Sequence, residues 1–191
     1  MCGVPSSHEW VRQIFSEQVR ALNPSRVDWL NTLPDADASR HLETCCGSRR
    51  WVLGMLERRP FKGVQHVLDV ADQVWARLAA HDWKEAFSYH PKIGDVKSLR
   101  EKFASTRAWT TGEQSGVHTA SAETLKNLVE GNAQYEKNFG YIFIVCATGK
   151  SAEEMLRIQQ TRLRNTAESE LLIAAAEQSK ITHLRLEKLL S

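Results

Sequence analysis

Seven apolar residues, Val64, Val67, Leu68, Ala71, Val74, Trp75 and Leu78, recur at three- and four-residue steps along residues 64–79. That spacing is the 3.6-residue period of an α-helix with one side turned to a core, and it excludes the two-residue alternation of a strand. The same period returns in Leu125, Leu128, Val129, Asn132, Tyr135 and Phe139, and again in Leu171, Ala174, Ala175, Ile181, Leu184 and Leu189. Shorter helices fit residues 8–22, 36–44 and 48–58, with Pro24, Pro34 and Pro60 breaking the chain between them. Ser151 and Glu154 have the spacing of a capping box, which opens a helix through Met155 and Leu156. The apolar run 141–147 has no partner strand signalled elsewhere, so it reads as a buried helical segment. The pattern predicts an all-α fold: a single multi-helix domain of about seven to nine helices over residues 26–191. A helical N-terminal extension, residues 1–25, precedes it and is joined at Pro24 and Ser25.

Composition narrows the function classes. The chain has 191 residues, enough to bury a core without disulfide or metal staples. Twenty-five basic against 23 acidic residues leave a net charge of +2. No basic run is interleaved with aromatics, so a nucleic-acid partner is not expected. The longest apolar run is too short to cross a bilayer, so no membrane association is expected either. Glu9, Arg12 and Glu17 interrupt the stretch where a secretory signal would need apolar residues. The four cysteines, Cys2, Cys45, Cys46 and Cys146, have neither metal-finger spacing nor a disulfide framework, which suits a cytoplasmic protein. His41 and Cys45 stand four apart, but two ligands do not make a metal site. The expectation is therefore no metal and no organic cofactor.

Three places carry chemistry. In His90-Pro91-Lys92-Ile93-Gly94-Asp95 the residue before proline is pushed out of helical geometry, so the helix through Trp83, Phe87 and Ser88 ends near His90. An imidazole at a helix C-terminus is favoured in its protonated form and is placed to exchange a proton, or it simply caps the helix. In Thr110-Thr111-Gly112-Glu113-Gln114 two overlapping capping boxes mark a helix start. They either satisfy their own amides or bring a carboxylate and a carboxamide to a polar ligand. The run from Phe139 and Gly140 through Tyr141, Ile142, Phe143, Ile144 and Val145 reads as core on its own.

Together, in order and spacing, these segments resemble the OHCU decarboxylase family, OHCU being 2-oxo-4-hydroxy-4-carboxy-5-ureidoimidazoline. His90-Pro91 with Ile93-Gly94 is similar to its His-Pro motif, and Thr110-x-x-Glu113-Gln114 to its Ser-x-x-Glu-Gln motif. Phe139-Gly140-Tyr141 resembles its Phe-Gly-aromatic segment, and Arg162-Leu163-x-Asn165 with Leu184-Arg185-Leu186 its C-terminal helices. The resemblance covers residues 26–190; Thr110 departs from it by replacing the usual serine.

It implies a cofactor-free carboxy-lyase, usually a homodimer, that converts OHCU to (S)-allantoin in urate breakdown. It further implies His90, Glu113 and Arg185 as catalytic residues, with His90 the general acid/base. Pro91, Thr110 and Gln114 would bind substrate, as would the backbone at Ile142, Phe143, Ile144 and Val145. Arg162, on the preceding helix, is the alternative to Arg185. Two other classes compete: a non-enzymatic helical binding or assembly module, in which both motifs are structural caps, and a related lyase acting on another ureido compound.

Overall fold

The structure is a computed structural model and describes residues 25–90 and 121–191. Among the described residues there are eight helices and no strand. They are α1 (Arg26–Thr32), α2 (Asp35–Cys45), α3 (Arg49–Leu56), α4 (Val64–Trp75), α5 (Ala80–Ser88), α6 (Ala122–Phe139), α7 (Ala152–Arg162) and α8 (Ala167–Leu190). The all-α expectation holds. The helix expected over residues 8–22 and the proposed extension to residue 24 lie outside the described residues.

Helix starts follow local chemistry. The hydroxyls of Ser25, Ser48, Ser121, Ser151 and Thr166 each accept a backbone N–H from the first turn of the helix that follows. Each such bond satisfies a donor that the helix itself leaves open. α6 stops at Gly140, whose φ of 75° lets its N–H reach Glu136 O at 2.8 Å. A side chain at that position would be strained, which is why glycine sits there.

α8 is the axis of the fold. Its 24 residues give a rod roughly 36 Å long at about 1.5 Å per residue. It packs against α1, α2, α4, α5 and α6, while α6 and α7 pair with each other and α2, α3 and α4 form a connected layer. The main core gathers Leu30, Leu42, Trp51, Met55, Phe87, Tyr135 and Leu186, all fully buried. A second, smaller cluster of Leu125, Leu128, Ala152 and Met155 seals α6 to α7. Trp51 and Trp75 belong to the core. Trp75 Nε1 donates to Ala175 O at 3.0 Å and pins α4 to α8, and Trp51 Nε1 donates to Ala71 O at 3.2 Å.

Two local readings change. The run 141–147 is not helical. Gly140 ends α6, and the aromatic and β-branched side chains that follow gain little from helix. Side chains then take up the main chain: Arg162 Nη1 donates to Ile144 O at 2.9 Å, Cys146 N donates to Glu177 Oε2 at 2.7 Å, and Lys150 Nζ donates to Cys146 O at 2.8 Å.

On α8 the buried positions are Glu170, Ala174, Gln178, Thr182, Leu186 and Leu190, a strict four-residue step, joined by Ala175. Leu184 from the expected stripe is 39% exposed, and three polar residues occupy the buried line. Leu171, Ala174, Ala175, Ile181 and Leu189 do bury or pack on the core, and the apolar count missed only the polar members of this face, whose contacts are hydrogen bonds.

Candidate active site

His90 lies one residue past the C-cap of α5, with its N–H on Phe87 O at 3.2 Å. This is the helix end that the following proline predicts. Its ring Nε2 is 2.6 Å from Oε1 of Gln178, a fully buried side chain on α8. Gln178 Nε2 donates to Thr182 Oγ1 at 3.2 Å. Positions 178, 182 and 185 fall on one side of a helix, so Arg185 shares the side of α8 that receives His90. Seven residues at about 1.5 Å each separate Gln178 and Arg185 along the axis by roughly 10 Å. Arg185 Nη1 donates to Cys45 O at 3.3 Å, at the C-terminus of α2.

The loop between α2 and α3 closes on the same place. At Gly47 a Cβ would stand 2.2 Å from Tyr89 Cγ, so only glycine lets the residue before His90 pack this closely. Burial pushes the thiols of Cys45 and Cys46 up to about 11 and about 12, which keeps both neutral next to the Arg185 guanidinium.

The non-helical segment forms another side. Phe87, three residues before His90, packs on the Tyr141 ring with centroids 5.2 Å apart. Glu177, the neighbour of Gln178, holds Cys146 N. Its carboxyl lies below its ordinary value because hydrogen bonds from Lys180 and the Cys146 amide outweigh a larger opposing contribution from partial burial. Ile144 O is taken by Arg162. Among the described residues, the main-chain N–H and C=O groups of Ile142, Phe143 and Val145 make no hydrogen bond. A row of polar main-chain groups held in place from both sides suits recognition of a ring edge.

Arg162 lies behind this segment and is nearly fully buried. Its Nε donates to Glu170 Oε1 at 2.7 Å and its Nη2 to the Tyr135 hydroxyl at 3.3 Å. Glu170 also accepts from Asn165 Nδ2 at 2.7 Å and from the Tyr135 hydroxyl. Burial, then the hydrogen bond to Glu170, holds the Tyr135 phenol well above its ordinary value, so it stays a donor. All three faces of the Arg162 guanidinium edge meet protein acceptors, so of the two candidate arginines it is the one that braces the segment. Arg185 is the one on the His90 side.

Of the expected site residues the structure describes His90, Arg185, Ile142, Phe143, Ile144 and Val145: His90 meets Gln178 on α8, Arg185 lies on the same side of that helix roughly 10 Å along it, and Ile144 O is held by Arg162. Pro91, Thr110, Glu113 and Gln114 lie outside the described residues. Sequence reasoning missed Gln178 and Thr182; the available signal was polar side chains at four-residue steps from Ala174. Among the described residues no group of three His, Cys, Asp or Glu side chains gathers as a metal site would. None of their helices is long and apolar enough to cross a membrane. A groove of about 190 Å³ between α3 and α4, lined by Arg50, Leu53, Glu57, Arg58 and Arg77 among others, lies elsewhere and holds none of these residues.

Comparison with known proteins bears on the family and the fold. The family profile described as OHCU decarboxylase matches residues 31–187. The uric acid degradation bifunctional protein TTL of Arabidopsis thaliana is 38% identical over 149 residues, which are 78% of this chain and 46% of that protein. The chain thus spans less than half of that relative. The 2-oxo-4-hydroxy-4-carboxy-5-ureidoimidazoline decarboxylase of Mus musculus is 28% identical over 136 residues, covering 70% of this chain and 74% of the relative. Among solved structures, one described as an OHCU decarboxylase in the presence of (S)-allantoin superposes with a TM-score of 0.64. It is 39% identical and covers 78% of this chain and 95% of its own.

Proposed function

Starting from the chain's membership of the OHCU decarboxylase family, we propose that it is the carboxy-lyase converting OHCU to (S)-allantoin and carbon dioxide, with His90 as general acid/base. The observation that supports this reading is the bond between His90 and Gln178 on α8, the helix that also carries Arg185 and, at Glu177, the hydrogen bond to Cys146 at the end of the segment that contains residues 142–145.

Losing carbon dioxide leaves an electron pair on carbon, and most decarboxylases accept it on a cofactor. This substrate carries its own acceptor, because the carboxylated carbon adjoins an imine-type ring carbon and the charge spreads as an extended enolate. The protein has only to orient the substrate and move protons. His90 takes the proton of the substrate hydroxyl as the carbon–carboxylate bond breaks. Arg185 offers paired donors to the departing carboxylate or the enolate. Glu113 orients His90 or bonds the ureido group, and Pro91, Thr110 and Gln114 complete the binding surface. The main-chain groups of Ile142, Phe143 and Val145 read the ring edge. Delivery of a proton to one face of the carbanion then yields one enantiomer. The enzyme works without metal or organic cofactor, as a cytoplasmic homodimer.

The test generates OHCU in situ from urate with the enzymes that precede this step and follows the optical activity of the product. Wild type should give one enantiomer quickly, and His90→Ala should return the slow racemic background. A wild-type chain that gives only that background sinks the decarboxylase reading and leaves the helical assembly module to pursue.

A further inference from the structure

Gln178 is fully buried, lies 88 residues from His90 in the chain, and meets its ring at 2.6 Å. A buried carboxamide has two distinguishable ends, and each needs a partner of the right kind. Its Nε2 donates to Thr182 Oγ1 one turn along α8. With the amide end engaged, the carbonyl end faces His90, and a carbonyl oxygen only accepts.

We infer that Gln178 is a positioning residue for His90: its Oε1 accepts the Nε2 proton, holds the neutral imidazole as the Nε2–H tautomer and leaves the basic lone pair on Nδ1. The chain Thr182–Gln178–His90 ties the end of α5 to buried groups on α8, so it sets both ring orientation and tautomer before substrate arrives. An imidazole fixed in one tautomer presents its basic nitrogen to the substrate at each turnover, whereas one that exchanges tautomers does so only part of the time. This role rests on the reading of His90 as acid/base; the tautomer itself does not.

The experiment is NMR of the full chain labelled with ¹³C and ¹⁵N in histidine, recorded above the pH at which His90 titrates. Its resonance is assigned by its loss in His90→Ala. Wild type should show the Nε2–H signature. Gln178→Leu should move His90 towards a mixture of tautomers. It should also lower kcat about tenfold or more while KM changes little, a part of the roughly 100- to 10,000-fold that a positioned acid–base group supplies. Gln178→Glu, which keeps an acceptor at the same place, should retain the Nε2–H signature and recover most of the turnover. An Nδ1–H ring in wild type overturns the inference outright, as does a Gln178→Leu chain with unchanged signature or unchanged kcat. Full stereospecific turnover by His90→Ala instead removes the acid/base reading and the positioning role with it, whatever the tautomer.

Discussion

Replacing Arg162 with Met removes one cation from a network that is almost wholly shut off from water. Glu170 is 0% exposed and Arg162 only 6%. After the change, the Glu170 carboxylate keeps Asn165 and the Tyr135 hydroxyl but loses its counter-charge. Ile144 O loses its donor at the same time. Breaking a buried pair by deleting one partner costs about 3–5 kcal/mol, because the remaining ion is stranded in a low dielectric. For a domain of this size each kcal/mol is worth about 2–4 °C, so Tm should fall by roughly 6–20 °C. Urea unfolding followed by far-UV circular dichroism measures the free energy. Substituting Glu170→Leu together with Arg162→Met takes out both charges, and only neutral groups stay unpaired, at about 1–3 kcal/mol. The double variant should therefore be more stable than Arg162→Met alone, although it carries one more change. The single variant should also raise KM, since the main chain of residues 142–145 loses its brace. An Arg162→Met protein within about 1 kcal/mol of wild type would falsify the view that this pair is uncompensated when broken.

Three further outcomes follow from packing and burial. Gly131→Ala should destabilise by about 1–3 kcal/mol in the same unfolding assay, although alanine ordinarily favours a helix interior by about 1 kcal/mol over glycine. Its Cβ would meet the fully buried Gln159 Oε1 at 2.0 Å, and a stabilised protein would refute this. Gly47→Ala should lower kcat about tenfold or more with a smaller effect on Tm, because Tyr89 must move and His90 follows it in the chain. An unchanged kcat would show that the loop and the His90 turn are not coupled. The raised thiols at Cys45 and Cys46 make stability depend on alkaline pH. Their ionised forms are favoured only in the unfolded chain, so the stability they contribute is whole below pH 9.0 and is lost as pH rises to about 11 and about 12. A Cys45→Ala/Cys46→Ala variant should lose stability less steeply than wild type over that range. Parallel slopes would count against burial of the thiols.

The helical class, the helix start at the Ser151 cap, and the end of α5 at His90 were legible from sequence. Each depends on residues three or four apart, and backbone geometry relates such neighbours without help from the rest of the molecule. The ordered motifs also point to the family. Tertiary structure decided what those neighbours could not. The run from Tyr141 to Ala147 has the composition of a buried helix or strand, and its main chain is held instead by Arg162, Glu177 and Lys150. Arg162 and Arg185 look alike as helical arginines; one is enclosed by Glu170, Tyr135 and Ile144, while the other shares a helix side with Gln178. Gln178 itself reads as an ordinary polar residue. Its bond to His90 joins positions 88 apart, and no local period encodes which distant side chain will cover a given side of a helix. Periodicity shows that a side is buried; only packing shows whether its partner there is a methyl group or an imidazole.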